Sequence, residues 1–540
     1  MPLILFVLVP VLLGIFLYVS QSKFTRVIAL VAQMAIFIAS IYLFLEAREL
    51  TVLSPIGSFL GVSGLIHNIG GFYAPLGIML MADSLSAVFV MLTAFFFLIG
   101  IMYSFNETNT PMFWFLMFIW QGSLMGIFLS SDFFNIFVLL EIGTLVVAVL
   151  ILYNRKNRSL YDGLIYFMVN VAGMQLYLFG VGYVYRYTGS LSIYEANAQF
   201  AMIDRSYLVL PYALIMTFVV LKCAVVPLFS WLPKAHGTAG APAAVSAILS
   251  GLHIKSSIYL FLRFQYTFEV VAMQEFFMVL GIITAIFGFL MAFGQKDLKL
   301  ILAYHTISQV GLILTGFNLP GYYSYMGSMY HMINHALFKS ALFLTGGIIA
   351  YAYGTRDIYQ IKGVMRRMPI VGISMLLAVL GITGTPFFNG SISKYFIATG
   401  IENPLNWILI FMSLGTIISF IKYSRILFGD SGEGVKKVDI WQQIPVVVLG
   451  SLCFLGGIFG SQFILFLFNV QLSVDPAGYL EKAGIFFVSL ISGYLIFKYY
   501  VQHSKLIKKL GRVELGFRGI MIAMGAFFGT MLIFVGFVYA

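Results

Sequence analysis

The sequence predicts an all-α polytopic membrane protein with about sixteen transmembrane helices. Hydrophobic residues make up 61% of the 540-residue chain and charged residues only 9%, whereas an ordinary soluble domain is about 25% charged. The apolar runs are long and continuous, with the roughly 20 residues that a helix needs to cross a bilayer. The short alternating segments of a membrane β-barrel are a different pattern.

Each predicted span is one such apolar run. The sixteen runs cover residues 2–20, 25–47, 78–103, 111–130, 133–153, 163–185, 208–233, 243–264, 272–294, 299–318, 325–351, 369–398, 405–428, 442–468, 482–502 and 516–539. The first run lacks a basic N-terminal region and a small-residue cleavage site, so we expect it to be a retained helix. Segments 48–77 and 186–207 are loops too short to form a soluble domain.

Basic residues are distributed unequally between the two sides of the predicted membrane. Twenty-one of the 31 Lys and Arg residues fall in loops that follow odd-numbered spans, five fall in loops that follow even-numbered spans, and five lysines lie inside spans. Cytoplasmic loops hold the excess of Lys and Arg in membrane proteins. We therefore expect a cell-membrane protein with both termini on the non-cytoplasmic side. The net charge of +11 then reflects topology, and no nucleic-acid partner is expected.

Five charged residues inside the spans are predicted to translocate protons. A charge near the bilayer centre costs about 2.5–3.5 kcal/mol, so such residues usually belong to an ion path. They are Glu141 in span 5, Lys222 in span 7, Lys255 in span 8, Lys339 in span 11 and Lys394 in span 12. A structural ion pair with a lysine is the alternative for Glu141. The two interpretations are compatible, because a pair whose spacing changes also changes its affinity for protons.

Four more residues are predicted to assist this path. His331, His335 and Lys339 recur at intervals of four and so form one helical stripe about 12 Å long, which suits a proton relay. His305 of span 10 is a further candidate for this relay. Zinc is not expected, because the two histidines lack a third ligand and Lys339 repels a cation. Lys234, near the end of span 7, either takes part in transport or extends towards the interface.

His253 lies two positions before Lys255, about 200° around the helix. Because the two side chains point in different directions, only one of them can face the path. We expect Lys255 to face it and His253 to be a packed or hydrogen-bonded residue.

Spans 7 and 12 are predicted to be broken helices. Pro227 follows Lys222, and two glycines and Pro386 precede Lys394; proline disfavours helix at and before its own position. A break at membrane depth persists only inside protein or beside a wet cavity. Because the two spans are five apart, they suggest inverted five-helix repeats, spans 4–8 and 9–13. The predicted regions are 1–110 (spans 1–3), 111–265 (first repeat), 266–430 (second repeat) and 431–540 (spans 14–16).

Motifs for other chemistry are missing from the sequence. It contains no G-x-x-x-x-G-K-[ST] loop, no C-x-x-C pair and no haem-attachment pattern, and both cysteines fall inside apolar runs. We therefore expect no cofactor, no metal and no catalytic chemistry within this chain. Whether the chain is a subunit of a redox-driven translocase stays open.

A long series of motif residues connects spans 7, 8 and 11. It comprises Lys222, Pro227, Trp231-Leu232-Pro233, Ala235-His236, Ala241-Pro242, Ser246-Ala247, Gly251, Lys255, His331, His335 and Lys339. This series resembles the antiporter-like subunits of respiratory complex I and of Mrp-type cation/proton antiporters, over about spans 3–13. The stretch from Phe72 to Asp83 is most similar to the D-type Mrp subunit or its relatives in membrane-bound hydrogenases.

The resemblance implies fourteen core helices and two half-channels joined by a central charged axis. It implies a carboxylate–lysine pair of Glu141 with Lys222, a relay through Lys255, the span 11 histidines and Lys339, and a terminal site at Lys394. The chain departs from the family in two ways. Many members have an acidic residue at the position of Lys234, and spans 15 and 16 extend past the usual core.

The function predicted from these observations is a proton- or cation-translocating subunit of a multisubunit Mrp-type sodium/proton antiporter. Its expected partners are other membrane subunits, protons, sodium ions and the lipid bilayer. One alternative is a proton- or sodium-pumping subunit of a redox-driven complex, either a membrane-bound hydrogenase or an NADH–quinone oxidoreductase. Two others are a stand-alone solute transporter and a scaffold whose buried charges fix helix register.

Overall fold

A computed structural model describes most of the chain, and most of the described residues are helical. The described residues are 2–22, 24–50, 64–154, 157–237, 241–430, 434–511 and 513–539. The helices are α1 Leu5–Ser20, α2 Thr25–Leu50, α3 Ser84–Tyr103, α4 Pro111–Leu129, α5 Phe133–Ile151, α6 Asn157–Thr188, α7 Ile193–Phe200, α8 Arg205–Lys222, α9 Trp231–Gly237, α10 Ala243–Ile248, α11 Ile254–Thr267, α12 Gln274–Gly294, α13 Leu298–Asn318, α14 Tyr322–Tyr353, α15 Val364–Arg367, α16 Pro369–Thr383, α17 Asn389–Ala398, α18 Leu405–Ser424, α19 Ile440–Ile458, α20 Gly460–Phe468, α21 Pro476–Ile496, α22 Lys505–Leu510 and α23 Phe517–Tyr539.

Two short strands precede α3. Strand β1 (Leu65–Asn68) pairs antiparallel with β2 (Met79–Ala82), with Leu65 opposite Ala82. They fall at the end of the predicted loop 48–77 and the start of the third predicted span, and residues 51–63 of that loop lie outside the described part of the chain. A π-helical segment, Leu249–His253, joins α10 to α11, and another, Phe497–Val501, extends α21.

The predicted spans all have helical counterparts. Fourteen helices among the described residues are long and apolar enough to cross a membrane, with α10 and α11 counted as one. The shorter apolar helices α1 and α16 account for the other two predicted spans. The predicted all-α polytopic fold is therefore confirmed.

Both predicted helix breaks are present, and they are five spans apart. The chain leaves α8 at Lys222 and resumes helix at Trp231; it leaves α16 at Thr383 and resumes at Asn389. Each break holds a non-glycine residue in the left-handed region, Ala224 with φ 55° and Phe387 with φ 69°. Such residues are uncommon and persist where the surrounding structure holds them.

The core of the bundle lies around α10–α11, α13 and α14. The α10–α11 span is buried along its whole length and α13 nearly so, whereas α21 and α23 pack on the outside and are mostly exposed. A helix buried on all sides is typical of the centre of a large bundle. Because α11, α13 and α14 also bear polar and charged residues, this centre places those residues away from lipid.

Candidate functional site

Lys222 ends α8 at the first break and points towards α5. Its side chain is 2% exposed, and its Nζ donates a hydrogen bond to Thr144 Oγ1 at 2.6 Å. Trp231, on the far side of the break, donates its indole N–H to the Leu221 carbonyl at 2.7 Å. At the buried end of α8 the Leu221 carbonyl thus accepts from this indole as well as from the Ala224 N–H, and Lys222 reaches across to another helix.

Glu141 lies one turn before Thr144 on α5. No ion pair within 4.0 Å joins Glu141 and Lys222 in the described structure, and the Glu141 side chain is exposed on the outer surface of the bundle. Positions three apart are neighbours on a helix surface. Thr144 therefore occupies the contact next to Glu141, and a direct carboxylate–lysine pair stays a prediction.

Lys255 and His335 meet in the core between α11 and α14. Both side chains are fully buried, and Lys255 Nζ lies 2.5 Å from His335 Nδ1. Lys255 Nζ also donates to the Ser250 carbonyl at 2.7 Å. Ser250 belongs to the π-helical segment, whose widened turn changes which carbonyls are bonded within the helix.

The expected difference between Lys255 and His253 is present. His253 Nδ1 accepts a hydrogen bond from the Trp120 indole at 3.3 Å. His253 thus packs against α4, whereas Lys255 faces α14.

His331 connects three helices. Its Nδ1 lies 2.8 Å from Ser393 Oγ on α17, and its Nε2 lies 3.0 Å from Gln309 Oε1 on α13. His335 is one turn farther along α14. The predicted histidine stripe therefore leads from the Lys255 contact to the residue next to Lys394.

Lys394 ties together the two sides of the second break. Its Nζ donates to the carbonyls of Ile382 and Thr383, the last residues of α16, at 3.1 and 3.2 Å. It is half-buried and lines a small cavity of about 90 Å³. Here the lysine itself satisfies the carbonyls that the break exposes.

Lys339 and His305 form a second group, close to the first. Lys339 is fully buried and donates to the Leu302 carbonyl of α13 at 2.7 Å. His305 is equally buried; neither ring nitrogen has a hydrogen-bond partner among the described residues, and its ring packs 4.8 Å from that of Phe420. Buried polar groups are normally hydrogen-bonded, so His305 is an exception among the described residues of this core.

Lys234 is buried and ion-paired. Its Nζ lies 3.0 Å from Glu514 Oε2, and the two side chains are 4% and 41% exposed. Leu515 N donates to Ser230 Oγ at 3.3 Å beside this pair. The segment between α22 and α23 therefore packs against α9, and Lys234 does not extend into the interface.

Two further buried groups escaped the sequence reasoning. Lys422, counted with the loop residues, is 2% exposed; its Nζ donates to the carbonyls of Ala292, Phe293 and Gln295 at the end of α12. His236 is fully buried with neither ring nitrogen hydrogen-bonded among the described residues. The signal for His236 was present in the sequence, since it belongs to the motif around Trp231, whereas nothing local distinguished Lys422 from an interfacial lysine.

A polar cavity of about 970 Å³ opens between loops that follow odd-numbered spans. We call it the vestibule; Glu107, Lys299, Arg356 and Asp439 are among its lining residues. Burial raises the pKa of Glu107. Lys299 is one helical turn from Leu302, whose carbonyl contacts Lys339. The vestibule thus reaches within about one turn of the Lys339 group.

Comparisons with known proteins identify the family and the fold of this chain. Residues 130–419 match the family described as NADH:quinone oxidoreductase/Mrp antiporter, TM. The D-type Na(+)/H(+) antiporter subunit of Alkalihalophilus pseudofirmus is 26% identical over 509 residues, which cover 89% of this chain and 98% of the relative.

Two solved structures share the fold. A chain of the Mrp complex from Dietzia sp. DQ12-45-1b has a TM-score of 0.77 at 21% identity and covers 94% of this chain and 99% of its own. A chain of the membrane-bound sulfane sulfur reductase, an archaeal respiratory membrane complex, has a TM-score of 0.78 at 21% identity and covers 91% and 99%. The match extends over nearly the whole bundle in both cases.

Proposed function

Because the chain belongs to the NADH:quinone oxidoreductase/Mrp antiporter transmembrane family, we propose that it is the proton- or cation-translocating subunit of a multisubunit Mrp-type sodium/proton antiporter. One observation carries this proposal: a line of buried ionisable and hydroxyl groups through α11, α14 and α17. The Alkalihalophilus relative, named as part of a Na(+)/H(+) antiporter, supports it over most of the chain length. Other membrane subunits are its partners.

The proposed path runs from Lys255 to Lys394. A proton passes from Lys255 to His335 across their 2.5 Å contact, then one turn along α14 to His331. From there the 2.8 Å contact with Ser393 leads to the neighbouring Lys394. The lysines and histidines on this path each have a protonated form that donates and a deprotonated form that accepts, and the Ser393 hydroxyl both donates and accepts a hydrogen bond, as a relay requires.

Lys339 connects this path to water. It lies one turn from His335, and its contact with the Leu302 carbonyl places it near Lys299 and the vestibule. The excess of basic residues in the loops around the vestibule favours a cytoplasmic position for this side, with both termini on the other side. Protons therefore enter the relay from the cytoplasm near Lys339.

Glu141 and Lys222 act as the switch of the relay, at the end of the path opposite Lys394. Lys222 exchanges its hydrogen bond with Thr144 for a direct contact with Glu141, one turn away on α5. Because an opposite charge stabilises the protonated amine, the Glu141–Lys222 distance sets when Lys222 releases its proton. The exposed position of Glu141 also lets a neighbouring subunit alter that distance.

The decisive experiment replaces Glu141 by Gln in the complete complex. In inverted membrane vesicles from a host without its own sodium/proton antiporters, wild-type complex should dissipate a pH gradient when NaCl is added. E141Q should abolish this response while the complex stays assembled. Glu402→Gln, on an exposed loop, is the matched control and should keep it. Sodium-dependent transport by E141Q at the wild-type rate would overturn the proposed switch.

The same vesicles separate the antiporter from a redox-driven pump. An antiporter collapses an existing gradient on addition of sodium and needs no electron donor. A subunit of a respiratory complex builds a gradient only when its electron donor and acceptor are supplied. A response that depends on donor and not on sodium would replace the antiporter proposal with the redox-driven alternative.

A further inference from the structure

A membrane-facing groove separates α21 from the bundle. It lies between α16, α18 and α21 and encloses about 610 Å³. Its walls are almost wholly apolar, with Leu380, Phe420, Phe487 and Leu490 among the lining residues. An apolar cavity of this size beside lipid fits a hydrocarbon chain better than it fits water.

The depth of the groove matches one bilayer leaflet. On α21 the lining runs from Phe486 to Phe497, a rise of about 16 Å at 1.5 Å per residue. One leaflet contributes about half of the roughly 30 Å hydrocarbon core. The deep end reaches Thr383, at the break after α16, which is close to the midpoint of the predicted span 369–398.

The mouth of the groove is cationic. Arg425 and Lys498 line it together with Gln502, and no acidic residue is among the lining residues. Both cations are exposed, and no ion pair within 4.0 Å joins either of them to a carboxylate in the described structure. Arg425 instead lies over the ring of Tyr359 at 5.6 Å. A basic site at this depth fits a phosphate headgroup.

We propose that this groove binds one anionic diacyl phospholipid from the leaflet on the basic side of the membrane. The phosphodiester lies between Arg425 and Lys498, and an acyl chain lies along Phe487 and Leu490 towards Thr383. Length, apolarity and charge each match a different part of the same molecule. A helix of a partner subunit would fill the apolar walls but would leave the two cations without a counter-ion.

The bound acyl chain also closes the small cavity around Lys394. The cavity that contains Lys394 shares Thr383, Ile417 and Phe486 with the groove. An acyl chain in the groove therefore forms the wall between the Lys394 cavity and the surrounding bilayer. This second role rests on the proposed function, whereas lipid binding does not.

Lipid retention tests the site independently of transport. The complete complex is purified in mild detergent, incubated with equal amounts of palmitoyl-oleoyl phosphatidylglycerol and phosphatidylcholine, and examined by native mass spectrometry. We expect wild type to retain one phosphatidylglycerol. The Arg425→Gln/Lys498→Gln variant should bind it about 30-fold more weakly, because each basic residue contributes about fivefold to anionic-lipid affinity. Lys436→Gln/Lys437→Gln, on the same side but outside the groove, should keep it.

Leu490→Trp provides a second, steric test that leaves the charges intact. Filling the groove should also displace the lipid, and it should raise the passive proton leak of vesicles without added sodium. Equal phosphatidylglycerol retention in the charge variant and wild type would overturn the site, as would a partner helix in the groove of the assembled complex. If the variant lost the phosphatidylglycerol but its passive proton leak stayed unchanged, only the proposed sealing of the Lys394 cavity would be overturned.

Discussion

The two broken helices differ in what their lysines do. At the first break Lys222 reaches across to Thr144, and Trp231 donates to the buried Leu221 carbonyl. At the second break Lys394 itself caps the carbonyls of Ile382 and Thr383. A lysine beside a helix break can therefore donate its hydrogen bond either to another helix or to the carbonyls at the break itself.

This difference separates transport from stability. Thr144 Oγ1 also donates to the Leu140 carbonyl at 2.8 Å, so it keeps a partner when Lys222 moves. Among the described residues, the carbonyls of Ile382 and Thr383 accept a side-chain hydrogen bond from Lys394 and from no second side chain. Lys222 is thus free to change partners during a transport cycle, whereas a movement of Lys394 uncaps its own helix.

The largest expected effect is on transport by Lys222→Ala. We expect sodium-dependent proton movement to fall by at least about 100-fold, the contribution typical of a positioned proton donor or acceptor. The unfolding temperature of the purified complex should change little, because Thr144 stays hydrogen-bonded. Vesicle fluorescence and thermal unfolding measure the two quantities. A large loss of stability in this variant would erase the distinction between the breaks.

Lys394→Met should reduce both transport and stability. Two carbonyls lose their donor, at about 1–3 kcal/mol for each buried group left unpaired. Thermal unfolding followed by size-exclusion chromatography measures the loss. Lys482→Met is the control. Lys482 lines the same cavity as Lys394, but it donates to Asn406 at 3.0 Å and not to the carbonyls at the break. Equal melting of K394M and wild type would contradict the capping role.

Trp231→Phe should make the first break resemble the second. Without the indole N–H, the Leu221 carbonyl keeps only its backbone bond from the Ala224 N–H, and we expect a loss of about 0.5–1.5 kcal/mol in the free energy of unfolding. Transport should also slow, because the nearby Lys222 amine is drawn to that carbonyl. Trp407→Phe, at an exposed position, should change neither quantity. Full transport with reduced stability would mean that Lys222 keeps its contact with Thr144.

The smallest expected effect comes from the left-handed residues. Ala224→Gly and Phe387→Gly should each raise the free energy of unfolding by up to about 1 kcal/mol. A non-glycine residue in the left-handed region costs roughly 1–2 kcal/mol, and glycine removes this strain but loses more conformational entropy on folding. Ala213→Gly, inside α8, should instead lower it. Thermal unfolding tests all three. If only one of the two substitutions raised the free energy of unfolding, the two breaks would also differ in backbone strain.

Local signals in the sequence predicted the bundle and both breaks. Hydropathy and proline position depend on nearby residues, so the spans and the interruptions after Lys222 and before Lys394 were accessible. The stripe formed by His331 and His335 followed from helical periodicity. The same reasoning identified buried lysines by their apolar neighbours.

Contacts between distant segments were beyond such reasoning. Lys422 stands at the end of a span, where a lysine usually extends to the interface, but its side chain turns back to cap α12. The partner of Lys234 is Glu514, 280 residues away, and the sequence has many acidic residues that could have filled that role. Thr144 as the contact of Lys222 required the distance between two helices.

The pair of Lys234 and Glu514 has a consequence for synthesis of the protein. A chain made at about 5–20 residues per second needs roughly 14–56 s to extend across the 280 residues between them. During that interval the amine lacks its carboxylate, so the α9 region cannot reach its final packing until the last segment is translated. Synthesis must therefore pass Glu514 before the Lys234 amine can be neutralised, so this part of the fold forms late although its helix is made early.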